Sequence, residues 1–505
     1  SRITLGGNIT TTAIAGGTVS ATHTASTAAT TIATAINVAN TTIGAAGLNF
    51  RSVSAGTGGF SAGSGIVLDN TGASGRLIVT GNTVAGSGGR IQHKDIGISL
   101  SSTLNPSFSW MQLNDFNDFA IRGQTVNGFS LANTAINGTN GNSAAADEGS
   151  VRFGELTGSV SITNSGISGG FEDNFKLVNT SGSLNRLTFD NTTIGSNSLS
   201  GGNDGVTLEA AGTAIINVTV QNSTFTSARG DLFQFNHIGS GTGDLVLTNN
   251  EFSNNFPAIA TGGGGLSLFT SGLAGSSVTM NITGNSFRDA VGPGVLIVKS
   301  EGPGTLTGTF ANNTIGVAGT PNSGSAEGSA LKLQTVGQGT MSWNVTNNQI
   351  RGYNNFGIEV LAGGGATPQG GIVNTNVTGN LIAEPGNTPG TLGVSKNAIH
   401  YNIGTVVGDT YQACANIGGA GALANEIYLG GKDAVPPTGF GDIDFRIRNR
   451  RTGVNINLPG YAGPAAASDA TINAYLVPRN SQGGAPVGLA HGVTGTYSGT
   501  GVTCP

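Results

Sequence analysis

Charge is scarce in this chain. Its 21 basic and 26 acidic side chains make up 9% of 505 residues and leave a net charge of −5. An acidity so mild names no partner, and no basic patch interleaved with aromatics is present, so nucleic acid is not an expected ligand. Thiols are scarcer still: Cys414 and Cys504 stand alone, too few for a thiolate metal cluster. No run of 18 apolar residues occurs, so no membrane-spanning helix is expected. The Ser1 start lacks the basic lead and apolar core of a secretion signal, as expected of a mature product or a fragment.

Catalytic signatures are missing too. There is no Asp-Asp pair, no local Ser-His-Asp or Cys-His arrangement, and no glycine-rich loop with the lysine of a phosphate cradle. The five histidines, His23, His93, His237, His400 and His491, fall in unrelated contexts. No enzyme is therefore expected. The 37% apolar content and low charge also exclude a disordered chain, so the 86 glycines read as turn residues rather than linker.

What the chain does contain is a repeat. A phrase of alternating apolar residues, then Asn or Gly, a small polar residue and Ile, Val or Phe recurs eleven times, with closing residues at 84, 116, 136, 167, 194, 225, 252, 287, 315, 350 and 382. The mean step is about 30 residues, the signature of a solenoid. A second apolar strand follows most copies, as in Phe175-Lys176-Leu177, Val206-Thr207-Leu208 and Leu331-Lys332-Leu333. Period-two alternation over four to six positions predicts strands with one buried face, and no segment holds a helical period. The expected unit is a coil of two or three short parallel strands, with Ile167, Ile194, Phe225, Phe252, Phe287 and Ile315 forming an interior column.

Asn164, Asn191, Asn222, Asn249, Asn312 and Asn347, three places before the closing residues, should form a column of their own. Asparagine tolerates the left-handed conformation that a sharp corner needs, and stacked amides can bond one another. Gly81, Gly284 and Gly379 solve the same corner without a side chain.

Three regions follow: a Thr/Ala-rich segment over 1–65 that caps or docks, coils over 66–410, and a β region over 411–505 with strand-like Thr471–Val477 and the cluster Arg446, Arg448, Arg450 and Arg451. The arginines read as solvated strand-edge residues. Cys414 and Cys504 are most simply one disulfide, which requires an oxidising compartment. The alternating segment that holds Ile3, Leu5 and Ile9 reads as an exposed strand able to add to a neighbouring molecule.

One constellation carries chemistry. Asp173, Asp204 and Asp231 each stand two residues before a Phe or Val of their second strand, with Glu172, Lys176 and Arg229 nearby. Parallel stacking would place three carboxylates roughly 5 Å apart. That arrangement is a candidate calcium site, or an acid/base cluster, or a set of turn-capping aspartates. No other cofactor is expected.

The coil pattern, Asn347-Asn348-Gln349-Ile350 followed by Gly357-Ile358-Glu359-Val360, resembles right-handed parallel β-helix proteins. The segments Ile36–Gly44, Leu48–Ser52, Phe445–Arg450 and Leu458–Tyr461 are more narrowly similar to large bacterial secreted or surface β-strand-repeat proteins. The resemblance implies an all-β right-handed parallel β-helix with an extracellular structural or adhesive role, such as the repeating subunit of a head-to-tail filament. The alternative is a β-helix that binds or cleaves surface carbohydrate.

Overall fold

The computed structural model describes residues 26–253, 263–300, 302–386, 397–428, 443–482, 495–501 and 503–505, with backbone alone at 443 and 482 and for the strands Thr4–Gly6, Ile9–Thr11 and Thr18–Ala21. It divides into two compact units, Ser1–Phe233 and Gln234–Pro505.

Each unit is an all-β parallel solenoid in which a strand pairs with the one three places further along the chain. In the first unit, Thr157–Thr163 pairs with Ser183–Asp190 and that strand with Ile215–Gln221, while Phe175–Asn179 pairs with Val206–Ala210. In the second, Ser277–Thr283, Thr305–Ala311, Thr340–Thr346, Ile372–Thr378 and Gln412–Ile417 form one parallel ladder. Coil pairing is the same on either side of residue 65, where Ile36–Ala39 meets Ser64–Asp69, and of residue 410, where Gln412–Ile417 meets Asn455–Asn457.

The interior column forms as the repeat predicts. Ile136, Ile167, Ile194 and Phe225 are successive partners in the first unit, and Phe252, Phe287, Ile315, Ile350 and Ile382 in the second. All are buried, and the rings of Phe252 and Phe287 stack at 4.9 Å. Two closing residues fall outside the column: Val84 is 62% exposed, because the chain after Gly81 passes into a turn instead of a short strand, and Phe116, though buried, pairs with Asn140 while Leu113 takes the place beside Ile136.

The six corner asparagines all adopt left-handed backbone, with φ between 48° and 57°, and Gly81, Gly284 and Gly379 share that conformation at 61–69°. The asparagine side chains point to solvent. The next residue turns inward instead. In the second unit, Asn250, Asn285, Asn313, Asn348, Asn380, Asn425 and Asn480 are buried in a continuous amide ladder, each Nδ2 donating to the Oδ1 of the next at 2.8–3.1 Å. The first unit places hydroxyls there: Thr71 and Thr103 lie 2.7 Å apart, and the Thr134 and Thr192 amides donate to Ser165 and Ser223 Oγ.

Residues Asp469–Leu476 are α-helical, not a strand. Ser468 and Thr471 form a reciprocal capping box that starts the helix, and Ile472 and Leu476 are buried; this local signal outweighs a short alternating apolar pattern. Beyond it, Thr496–Ser498 pairs with Asn455–Asn457, and Cys504 is disulfide-bonded to Cys414 with Cα atoms 5.2 Å apart. Among the described residues no helix is long and apolar enough to cross a membrane.

Candidate functional site

The parallel register of Gly149–Gly154, Phe175–Asn179 and Val206–Ala210 sets Arg152 beside Lys176 and Lys176 beside Thr207, all on the outward-facing side of these strands. Asp173 and Asp204 enter the second and third of those strands and Asp231 enters the next, as the sequence spacing requires. Asp173 and Asp204 are each only 3% exposed.

One oxygen of each is committed to a main-chain donor. Asp173 Oδ1 accepts from the Asp204 amide at 2.9 Å and from Asn203 Nδ2 at 3.2 Å, and Asp204 Oδ1 accepts from the Asp231 amide at 2.7 Å. Thr207 Oγ1 lies between the two carboxylates, 3.2 Å from Asp173 Oδ1 and 3.0 Å from Asp204 Oδ2. Each aspartate thus fastens the entry of the following coil's strand, a coil-to-coil version of the turn-capping role. Burial pushes the Asp173 carboxyl up; burial, with repulsion from Asp231 and Asp173, pushes Asp204 well above the usual carboxylate range.

The convergence of three carboxylates lies one step away, on Asp147, Glu172 and Asp173, whose oxygens come within 4.8 Å of one another. Asp204 and Asp231 are not part of it. Lys176 Nζ sits among these groups, 2.7 Å from Asp147 Oδ1 and 3.5 Å from Asp173 Oδ2, and Arg152 pairs with Asp147. Burial pushes Glu172 up to about 7, helped by its hydrogen bond with Asp147 and that group's charge. Burial would also raise Asp147, but hydrogen bonds from Lys176 and Glu172 and the charges of Lys176 and Arg152 overcome it and hold Asp147 below its usual value. Of the two, Glu172 is the group that holds a proton more readily.

Calcium takes six to eight oxygen ligands at about 2.3–2.6 Å. Here the Lys176 ammonium supplies the positive charge among the carboxylates. The donor set does not fit the ion while Lys176 is in place.

Asp147 and Arg152 were not evident from the aspartate spacing, because Asp147 lies on a loop at φ 55° outside the column. The buried ladder was equally hidden, although the dipeptides Asn249-Asn250, Asn312-Asn313 and Asn347-Asn348 mark it in retrospect. Leu5 and Ile9 pair within their own chain, with Ala28 and Ile36, and their segment forms the first rung of the ladder. Ile3 lies outside the described residues, as do His23 and His491. Comparison with protein-family profiles, curated proteins and solved structures finds no match.

Proposed function

We propose that this protein is an extracellular structural protein, the repeating subunit of a surface filament or adhesive fibre that grows head to tail. The observation that carries this reading is the composition of the first rung. Among the described residues, Thr4–Gly6, Ile9–Thr11 and Thr18–Ala21 are each hydrogen-bonded on one side only. Between Arg2 and Arg51 the sequence has no formally charged residue and no proline. Solitary β proteins guard such edges with lysine, proline or bulges, and an unguarded edge is a template for another chain. At the far end of the chain, Ile443–Asn449 is likewise paired on one side only among the described residues. An edge of each kind on one molecule gives a heterologous contact that need not close. The Cys414–Cys504 disulfide supports an oxidising location.

Electron microscopy and sedimentation of the purified chain over a range of concentrations test the reading. Filaments should form, and Thr4→Lys, Thr10→Lys and Ser20→Lys together should leave monomers with an unchanged far-UV circular dichroism spectrum. A parent that stays monomeric at high concentration, or a triple variant that polymerises as well as the parent, overturns it.

A further inference from the structure

Arg446 and Arg448 lie on Ile443–Asn449, the strand that the assembly reading uses as an edge, but their side chains take no part in strand pairing and their surroundings are unusual. Leu331–Thr335, Phe356–Ala362, Asn397–Ile403 and Ile443–Asn449 form one parallel ladder, in which Lys332, Glu359, His400 and Arg446 are successive partners in one row and Gln334, Leu361, Asn402 and Arg448 in the next. Leu333, Val360, Tyr401 and Ile447, the intervening residues, are fully buried, so the first two rows face outward.

The row's one carboxylate is already engaged: Glu359 accepts from Ser329 Oγ at 2.8 Å and lies 3.9 Å from Lys332 Nζ. Among the described residues, by contrast, neither Arg446 nor Arg448 has a hydrogen-bond or ion-pair partner, and the Arg448 Nε is buried without one. His400 between them and Glu359 is only 4% exposed, its ring 4.2 Å from that of Phe356, and neither of its nitrogens has a partner. Burial, then the charges of Arg446, Arg448, Arg450 and Lys332, hold the imidazole down to about 3, so it is neutral and offers one donor and one acceptor. Buried polar groups are nearly always bonded in native proteins, and this many unanswered donors on one face point to something that binds there.

We propose that this face binds a linear acidic polysaccharide, with uronate carboxylates on the Arg446 and Arg448 guanidinium groups. The guanidinium is a planar fork suited to a carboxylate. Arg446 and Arg448 are two residues apart on one side of a strand, roughly 6.6 Å, so the pair is spaced more widely than a single small anion can answer. A polymer with repeated carboxylates can answer it along its length. The face does not suit a single-stranded nucleic acid, which needs aromatic platforms for its bases; the Phe356 ring here is covered by His400. The inference concerns a sheet face rather than a strand edge, so it stands or falls independently of filament growth.

Retardation of the full-length chain in native gels cast with polygalacturonate, with its fully methyl-esterified form, or with single-stranded DNA is the test. Retardation by polygalacturonate alone is expected. Arg446→Gln with Arg448→Gln should weaken it at least tenfold, while Arg76→Gln, which removes one exposed charge elsewhere, should not change it. Should the double variant fail to form its disulfide, Arg446→Lys with Arg448→Lys keeps the charge and removes the forks, and the same weakening is expected. No retardation of the parent, equal retardation by the esterified polymer or DNA, or undiminished retardation of a folded variant overturns the proposal.

Discussion

Two adjacent asparagines, Asn347 and Asn348, should respond to alanine in different ways. Asn347 is exposed at φ 57°, so its replacement adds only the strain of a Cβ in the left-handed region, about 1–2 kcal/mol. Asn347→Gly should be nearly neutral, since Gly284 and Gly379 already occupy that corner in other coils. Asn348 is 1% exposed. Its Oδ1 accepts from the Asn313 amide at 2.9 Å and from Asn313 Nδ2 at 3.1 Å; its own Nδ2 donates to Phe310 O at 2.9 Å and Asn380 Oδ1 at 2.8 Å. Asn348→Ala leaves the two Asn313 donors and the Phe310 carbonyl unanswered in a buried place. At about 1–3 kcal/mol for each stranded group, and with water able to answer part of the loss, the cost should be about 3–6 kcal/mol. Solenoids open locally, so amide hydrogen exchange is the assay of choice. Asn313 should lose protection in Asn348→Ala and keep it in Asn347→Ala, and urea midpoints should rank the two in the same order. Equal costs, or a still-protected Asn313 amide in Asn348→Ala, would refute the assignment of the ladder as a structural tie between coils.

Two further outcomes test the acidic site. The folded Glu172 holds its proton up to about pH 7 against its ordinary 4.5, so its contribution to stability is complete below pH 4.5 and lost as pH rises through 7; Glu172→Gln should flatten the fall in melting temperature across that window, and an unchanged slope would remove Glu172 as its source. Lys176→Met takes away the cation among Asp147, Glu172 and Asp173 and should destabilise the first unit, with millimolar calcium recovering part of the loss in the variant and doing nothing for the parent. Stabilisation of the parent by calcium would contradict the view that Lys176 excludes the ion.

The fold was legible because its two signals repeat. Period-two alternation set the strands, and a residue able to take positive φ set each corner, so Ile194 and Asn191 could be placed from one coil and checked in the next. Signals that occur once were read less well. The Ser468/Thr471 capping box competes with an alternating stretch of similar length, and only the hydrogen bonds at its start decide between helix and strand. The acidic site divides in the same way. Asp173, Asp204 and Asp231 lie in register because register repeats, whereas Asp147 reaches the site on a loop whose path no period describes. The corner column was legible because its positive φ repeats, and Asn191 Nδ2 donates to Asn164 Oδ1 at 2.7 Å within it; the buried ladder one residue further on was not, because both asparagines of a pair suit a corner and the letters do not say that the second turns inward.

That one-residue distinction also bears on how a stack of coils is brought to an end. A hydroxyl in the inward position, such as Ser165, accepts one main-chain N–H from the preceding coil and donates to a nearby carbonyl of its own strand, Thr163 O at 2.8 Å. An amide there accepts two donors from the preceding coil and makes two donations of its own, one of them forward, so every rung of the second unit's ladder presents its Nδ2–H and its main-chain N–H to the next. Such a ladder cannot simply stop inside a protein, because its last amide would be a buried polar group without partners. Asn480 is that last amide. Its Oδ1 accepts from Asn425, and its Nδ2 donates at 2.8 Å to the carbonyl of Leu476, the final residue of the C-terminal helix. Helix ends carry carbonyls with no partner in the helix itself, so the helix and the ladder each lack what the other supplies. A short helix in an otherwise all-β chain is thereby explained by a requirement of the coils: it delivers an acceptor where a further strand would only have delivered another rung.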